Sequence, residues 1–374
     1  MLRPSVFKRP SGLLVPAPAT LRGRIRWQAL DERGVPEVPR SPSGLALAPV
    51  EGLEQPNLIT DLGMDGIAAY DCTGLSATAA GWRRYLKAGT GSTAPAFTDA
   101  TLVSEVERAA SSGSFSSGSN TYSIETGPDV LRIESTVTRI VTMTADRNLT
   151  EIGFSALNTT EAYIRELLRD GIGDPITVSM LTGKILRVDH TLTADIAFPV
   201  AGTAASINIE RYDVANLLES TTAYGVVSGL HGFDSSASAL RLMARMWRPD
   251  TTDWTAGVGF MRMAGARAID VATSYARTGV VTTANAEPQA GTYVGLALAA
   301  YVAGSHERAK QATIPAGSGN FPWYGFQFGG GDGEGTTATT RYTGFLCVFD
   351  DPTTYTKVDT DTMRVGMIST WARA

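Results

Sequence analysis

Cysteine, histidine and lysine are scarce in this 374-residue chain. The two cysteines, Cys72 and Cys347, exclude a disulfide framework by number, and a single bridge between them stays open. The three histidines, His190, His231 and His306, are scattered, so no zinc site of local His/Cys spacing can be assembled. Charged residues make up only 18% of the chain, too few for a coiled coil. Hydrophobic residues make up 43%, too many for a disordered acidic chain. A net charge of −5 gives no bulk attraction to nucleic acid or to an anionic membrane. No apolar stretch reaches the roughly 18 residues of a membrane span. The opening MLRPSVFKRPSGLLVPAPATLRGRIRW is interrupted by prolines and arginines where a secretory signal needs an unbroken apolar core. The expectation is a chain made in the cytoplasm, without membrane insertion and without a nucleic-acid partner.

Threonine, by contrast, is abundant at 44 residues, and arginine outnumbers lysine 27 to 5. With 39 glycines and 18 prolines, this composition suits many short strands joined by turns. The fold class expected is mainly β: two β-sandwich-like domains with short helices, preceded by an extended N-terminal arm. The arm would span 1–50, the first β domain 51–200 and the second 201–374.

Residues 1–40 hold eight basic side chains against three acidic ones. Within them Arg22, Arg24 and Arg26 alternate with Gly23, Ile25 and Trp27, the period of a strand. Asp31-Glu32-Arg33-Gly34 then reads as a turn. Flanking prolines point to an extended segment, either a solvated tail with one edge strand or a docking arm. In the docking case the arginines would meet an acidic partner surface through bidentate contacts.

Further along, 57–71 has apolar residues at helical spacing with Asn57 as a cap. YLKAGTGSTAPAFTDATLVSEVERA (85–109) reads as strand, loop and short helix, and SSGSFSSGSN (111–120) as a linker. LRIESTVTRIVTMTA (131–145) alternates as a strand. Asn158 and Glu161 resemble a capping box before a helix carrying Ile164, Leu167 and Leu168, ended by Gly171, so a helical insertion is expected near 158–171. TVSMLTGKILRVDHTLTADIAF (177–198) reads as a hairpin about Thr182-Gly183, with Leu186, Val188, His190, Leu192 and Ala194 on one face. In the last third, 291–303, 323–329, 342–350 and 361–373 read as strands, and 236–247 as a short helix. EIGFSAL (151–157) mirrors YTGFLCV (342–348), and Val188-Asp189 mirrors Val358-Asp359, which suggests a diverged duplication of one β domain.

In their order, NLITDLGMDGIA, YLKAGTGSTAPAFTDATLVSEVER, NLTEIGFSAL and LRVDHTLTADI resemble the serial pattern of tail-fibre and related virion proteins of tailed bacteriophages, and VDTDTMRVGMISTWAR is similar to their final strand. The resemblance covers roughly 55–198 and the last 30 residues. It departs at Ala88, where the family usually has Val or Ile, and at the insertion near 158–171. It implies a structural component of a phage virion, placed in tail fibres, baseplates or collars, usually oligomeric and commonly trimeric. The partners implied are other virion proteins and a host surface glycan or receptor. A capsid decoration, a head–neck fibre and a polysaccharide-degrading tail enzyme are the rival readings.

No catalytic motif is expected to operate. The chain has no G-x-S-x-G and no Gly-Lys-Ser/Thr. GTGST (89–93) lacks the lysine of a phosphate loop. Asp332 and Glu334 of GGGDGEG are too few oxygens for calcium, and Asp350, Asp351, Asp359 and Asp361 read as a solvated rim rather than an acid–base pair. Cofactors and metals are expected to be none. The interface and docking candidates are Arg22, Arg24, Arg26, Trp27, Trp82, Arg83, Trp323 and Tyr324. Trp323 shares its strand with Phe326 and Phe328 and points away from the face they form with Tyr324.

Overall fold

Leu21, Gly23, Ile25 and Trp27 are buried, while Arg22 and Arg26 between them are exposed and Arg24 half-buried. The alternation read from the sequence is therefore a strand, β1 (Ala17–Leu30). The computed structural model describes residues 17–47, 55–70, 72, 81–109, 120–126, 130–197, 205–213, 215, 217–231, 257–259, 293–317, 322–323, 325–331, 342–349 and 355–374. The segment expected as a helix (236–247) lies outside the described residues, as do 111–119 of the expected linker (111–120) and 332–340 of the expected loop (329–340); Asn120 instead opens a strand, and 329–331 end one.

The chain is mainly β. After β1 come β2 (Gln55–Ile59), a six-residue helix α1 (Asp61–Gly66), β3 (Tyr85–Gly89), β4 (Glu105–Arg108), β5 (Asn120–Thr126), β6 (Val130–Thr142) and β7 (Arg147–Leu149). Next are β8 (Glu151–Ser155), β9 (Ile164–Leu167), β10 (Val178–Met180), β11 (Ile185–Ala197), β12 (Ala205–Tyr212), β13 (Leu218–His231), β14 (Gly257–Gly259) and β15 (Tyr293–Leu298). The chain ends with β16 (Glu307–Ile314), β17 (Pro322–Trp323), β18 (Gly325–Gly331), β19 (Tyr342–Phe349), β20 (Tyr355–Thr356) and β21 (Thr362–Arg373).

The backbone divides into two compact units. The first comprises 20–123, 133–194 and 372–374, the second 1–19, 124–132 and 195–371. In the first unit, antiparallel pairing gives the order β1·β2·β9·β8·β3·β4. Most of β1 thus belongs inside a folded unit, where the sequence pointed to an extended segment over 1–50, a docking arm or a tail with one edge strand; its apolar alternate face needs burial. Strands β3, β8 and β9 are buried on both faces. On one face, Phe154 of β8 meets His190 of β11 at 5.5 Å between ring centroids. β11 pairs with β6, and Leu186, Val188, His190, Leu192 and Ala194 of β11 are all fully buried, the face anticipated from their spacing. On the other face lie Glu151, Gly153, Lys87 and Arg165, under the loop between β3 and β4.

Three expected helices resolve differently. Residues 164–167 form strand β9, so the helical insertion near 158–171 is replaced by a strand between β2 and β8. Residues 105–108 form β4 in place of a helix. Asn57 sits in β2, and the helix that follows is shortened to α1, capped by Thr60, whose Oγ1 accepts from Gly63 N at 3.0 Å. The turn at Thr182-Gly183 is present, but its arms pair elsewhere, β10 with β7 and β11 with β6.

One turn recurs in the first unit. In DERGV (31–35), SPSGL (41–45) and DGIGD (170–174), the first and fifth residues bond backbone to backbone, and the fourth donates to the carbonyl of the first. Asp31 Oδ1, Ser41 Oγ and Asp170 Oδ1 each accept the fifth residue's N–H, at 2.8, 3.2 and 3.0 Å. The fourth residue is Gly34, Gly44 or Gly173, with φ of +81°, +85° and +93°, a region that admits glycine without strain. The residues flanking each turn bridge again, Leu30 to Pro36, Arg40 to Ala46 and Arg169 to Pro175.

The second unit pairs antiparallel in the order β14·β15·β16·β21·β12·β13·β19·β18. Contacts between β18 and β14 bring the two ends of this curled sheet together. Both copies of the proposed repeat begin in strands, β8 and β19. Val188-Asp189 lies within β11, however, whereas Val358-Asp359 precedes β21 in a turn, so the second pair of motifs is not equivalent.

Candidate functional site

Two of the three arginines of β1 find carboxylates within their own unit. Arg24 pairs with Glu134 at 2.7 Å and Arg26 with Asp189 at 2.9 Å. Asp189 also accepts from Thr138 at 2.6 Å and from Arg187 at 3.1 Å. Burial alone would raise its carboxyl pKa, but the hydrogen bonds from Thr138 and Arg26 and the charge of Arg187 outweigh it and hold it below the ordinary value. The acidic surface expected on a partner is thus supplied, for Arg24 and Arg26, in cis. Arg22 is exposed.

Trp27, Trp82 and Arg83 were expected at an interface, and all three are interior. Trp27 is 3% exposed and donates Nε1–H to the Arg169 carbonyl at 3.1 Å. Trp82 is fully buried and donates to the Gly63 carbonyl at 2.9 Å. Arg83 donates to the carbonyls of Ser135, His190 and Cys72, to Ser135 Oγ and to His190 Nδ1, at 2.8 to 3.1 Å. Large side chains with a polar tip fill a core when the tip finds a carbonyl, so Trp and Arg in sequence do not by themselves mark a surface. Trp323 lies in β17, its backbone opposite Tyr355 of β20, while Tyr324 lies outside the described residues.

The loop 90–104 joins the paired strands β3 and β4 and is largely exposed. It has no regular structure over 15 residues, a length uncommon in a folded domain unless the loop has work to do. Beneath it lie Glu151 and Arg165, fully buried and paired at 2.8 Å. Glu151 accepts from the backbone N–H groups of Gly91 at 3.0 Å, Ser104 at 2.9 Å and Val103 at 3.2 Å. Arg165 donates to the Thr93 carbonyl at 2.7 Å and to Asp99 Oδ2 at 2.6 Å, and the same Asp99 oxygen caps Ala96 N at 2.7 Å. At Gly91 a Cβ would collide with Glu151 Oε1 and the Val103 side chain, and at Gly89 it would lie 2.6 Å from the same carboxylate oxygen. The glycines of GTGST therefore serve close approach to a carboxylate. Above this base the loop presents Thr93, Ala94, Ala96, Phe97 and Val103 to solvent. Phe97 is further fixed by the Arg373 guanidinium, 4.4 Å from its ring centre.

Lys87, next to this base on β3, is also fully buried. Its Nζ donates to the carbonyls of Thr159 and Glu161 and stands 3.7 Å from Glu105. Burial pushes its pKa down to about 8, against the opposing charge of Glu105. Glu151, Arg165 and Lys87 did not figure among the interface and docking candidates read from the sequence. The signal offered by Lys87 and Glu151 is a single charge embedded in an otherwise uncharged strand, as in YLKAG and EIGFS.

Of the acidic clusters, Asp332, Glu334, Asp350 and Asp351 lie outside the described residues. Asp361 is 5% exposed and stands 3.5 Å from Arg211 Nη1. No group of three or more metal-type side chains occurs among the described residues. No protein-family model, curated protein or solved structure matches the chain.

Proposed function

We propose that the chain is a structural protein of a bacteriophage virion, part of the tail, which works through assembly and host attachment and turns over no substrate. The observation that carries this reading is the clamped loop. Its glycines and the charged groups beneath it, residues of the types that also build catalytic sites, are used up in fixing a backbone shape. A loop held in one conformation before contact loses less entropy when a partner lands on it, which is what a recognition surface needs. The antiparallel sheets, with side-chain-capped turns, suit a part that must keep its shape while bound to neighbours.

Mass in solution together with antibody labelling of intact particles by electron microscopy tests the proposal. Three copies per assembly and label along the tail are the expected results. Label on the capsid or neck would assign the protein to decoration or a head–neck fibre, and absence of label from particles would end the virion reading. Polysaccharide shortened by the purified protein would overturn the non-enzymatic part.

A further inference from the structure

The core between β11 and β8 contains a histidine whose protonation state is dictated by its neighbours. His190 is fully buried on β11, with Phe154 of β8 at 5.5 Å and Trp82 edge-on at 6.4 Å between ring centres. Arg83 Nη1 lies 3.1 Å from Nδ1 of the ring. A guanidinium has only donors, so Nδ1 must be the acceptor and the ring is neutral with its proton on Nε2. Nε2 is buried and has no hydrogen-bond partner. A second proton could enter only at Nδ1, against the guanidinium that now donates to it.

On the described elements one feature favours a charged ring, a hydrogen bond to the backbone of His190 itself, and it is the weakest of the influences on the imidazole. The segment before β3 supplies Trp82 and Arg83. β6 supplies Ser135, whose carbonyl and hydroxyl both accept from Arg83, and Arg139, which is buried and donates Nε–H to the Arg83 carbonyl at 3.1 Å. Cys72 contributes its carbonyl to Arg83. β8 supplies Phe154, and beyond Trp82 lie the rings of Tyr163 and Tyr70. Among the described residues the charged group in contact with the ring is the Arg83 guanidinium. Burial first, and then the charge of Arg83, accordingly drive the imidazole pKa well below its ordinary value.

We infer that His190 is an acid-operated lock on the first unit: neutral, it accepts from Arg83 and holds β11 against β8; protonated, it forces the Arg83 contact and that packing apart. The sign follows from linkage. An unfolded chain takes up the proton near pH 6.5 and the folded unit does not, so the contribution of neutral His190 is complete above that pH. It is lost as pH falls below it, with the unfolding constant rising by up to about tenfold per pH unit. Entry into an acidic compartment would loosen this unit at one defined place, which is a conformational consequence independent of the virion assignment.

The test uses the full-length protein in two measurements. In the first, denaturant unfolding is followed from pH 8 to pH 5 for the wild type and for His190→Gln, whose side-chain oxygen can still accept from Arg83 but cannot titrate. The wild type should lose stability below pH 6.5 relative to the variant; parallel pH profiles would overturn the inference. In the second, nitrogen-15 histidine spectra of the wild type, which need no variant to fold, should show one imidazole with bare Nδ1 and protonated Nε2 that resists titration until the first unit opens. An imidazole assigned to His190 that titrates near 6.5 in the intact fold would overturn it as well.

Discussion

Glu151 and Arg165 are diagonal neighbours on adjacent strands: Arg165 stands opposite Gly153 in the register of β8 and β9, two residues along from Glu151. Their 2.8 Å ion pair is fully buried, yet the Glu151 carboxylate and the Arg165 guanidinium both spend their remaining hydrogen-bonding capacity on the backbone of the loop 90–104. The pair couples a sheet face to a loop shape.

Breaking that pair from one side should be far more damaging than replacing both partners. Glu151→Ala leaves Arg165 buried with Asp99 as its remaining carboxylate and orphans three backbone N–H groups, so about 3–5 kcal/mol of stability should be lost. The double substitution Glu151→Leu with Arg165→Met should lose clearly less than the sum of the singles. Denaturant titration of the four proteins measures this, and strict additivity would show that the two side chains act separately.

The loop should also be sensitive to one methyl group. Gly91→Ala drives a Cβ against Val103 Cβ and into Glu151 Oε1, which cannot retreat without giving up its hydrogen bonds to the loop backbone. A loss of about 1–3 kcal/mol is expected, with faster proteolytic nicking inside 90–104. Ser92→Ala, one residue along on the exposed side, should change neither measurement.

The sequence showed its period-two strands plainly because one of their faces meets solvent, as in 22–27. It hid β9 for the opposite reason. In IREL both faces are buried, so no alternation remains, and Ile164, Leu167 and Leu168 fall at helical spacing by accident of a short segment. Pairing with β2 and β8 then overrides the local preference of Glu, Arg and Leu for helix. The loop was legible as a glycine-rich loop but its purpose was not, since Glu151 and Arg165 are 60 and 74 residues from Gly91 and Gly91 alone gives no hint of them. Of the three [D/S]-x-x-G-x turns only the one at 31–35 was legible, through Asp31-Glu32-Arg33-Gly34; the one at 170–174 was taken up by the apparent helix ending at Gly171.

Those turns yield a comparison within one molecule. Gly173→Ala forces a side chain into a φ of +93° and should lose about 1–2 kcal/mol. Gly173→Asn, a residue that tolerates the left-handed region, should lose less. Asp170→Ala removes the acceptor for Ile172 N and Asp174 N and should lose about 1 kcal/mol. Thermal unfolding of the three variants gives the ranking; equal losses for Ala and Asn at 173 would mean the backbone angle is not what the glycine is for.

Asp189 should matter more than the arginines it serves. Arg26 is half exposed, so Arg26→Ala should lose less than about 1 kcal/mol, whereas Asp189→Ala also strips Thr138 and Arg187 of their acceptor. With its folded pKa below the unfolded value, the Asp189 contribution is complete above about pH 4 and is lost as the solution is acidified further. Acid unfolding of the wild type and Asp189→Asn should therefore converge at the lowest pH. A constant offset between them would locate the effect in packing.

Lys87 supplies the opposite slope at the other end of the scale. Its folded pKa, about 8, lies below that of an exposed lysine, because burial opposes the charge more than Glu105 favours it. Between pH 8 and about 10.4 the unfolded chain therefore holds a proton that the folded chain has released. Stability must climb as pH rises through that window, and it levels off below pH 8, where both states are charged. Lys87→Met cannot titrate, so its stability should be flat where that of the wild type climbs, apart from groups common to both. The variant also leaves the carbonyls of Thr159 and Glu161 without their Nζ–H donor, which the neutral amine still supplies, so it should be the less stable protein at pH 10 and should close the gap toward pH 8. Denaturant midpoints at pH 8, 9 and 10 are enough to decide. A wild type and variant that run parallel across those three points would mean that Lys87 keeps an ordinary pKa, and that solvent reaches the floor of the loop.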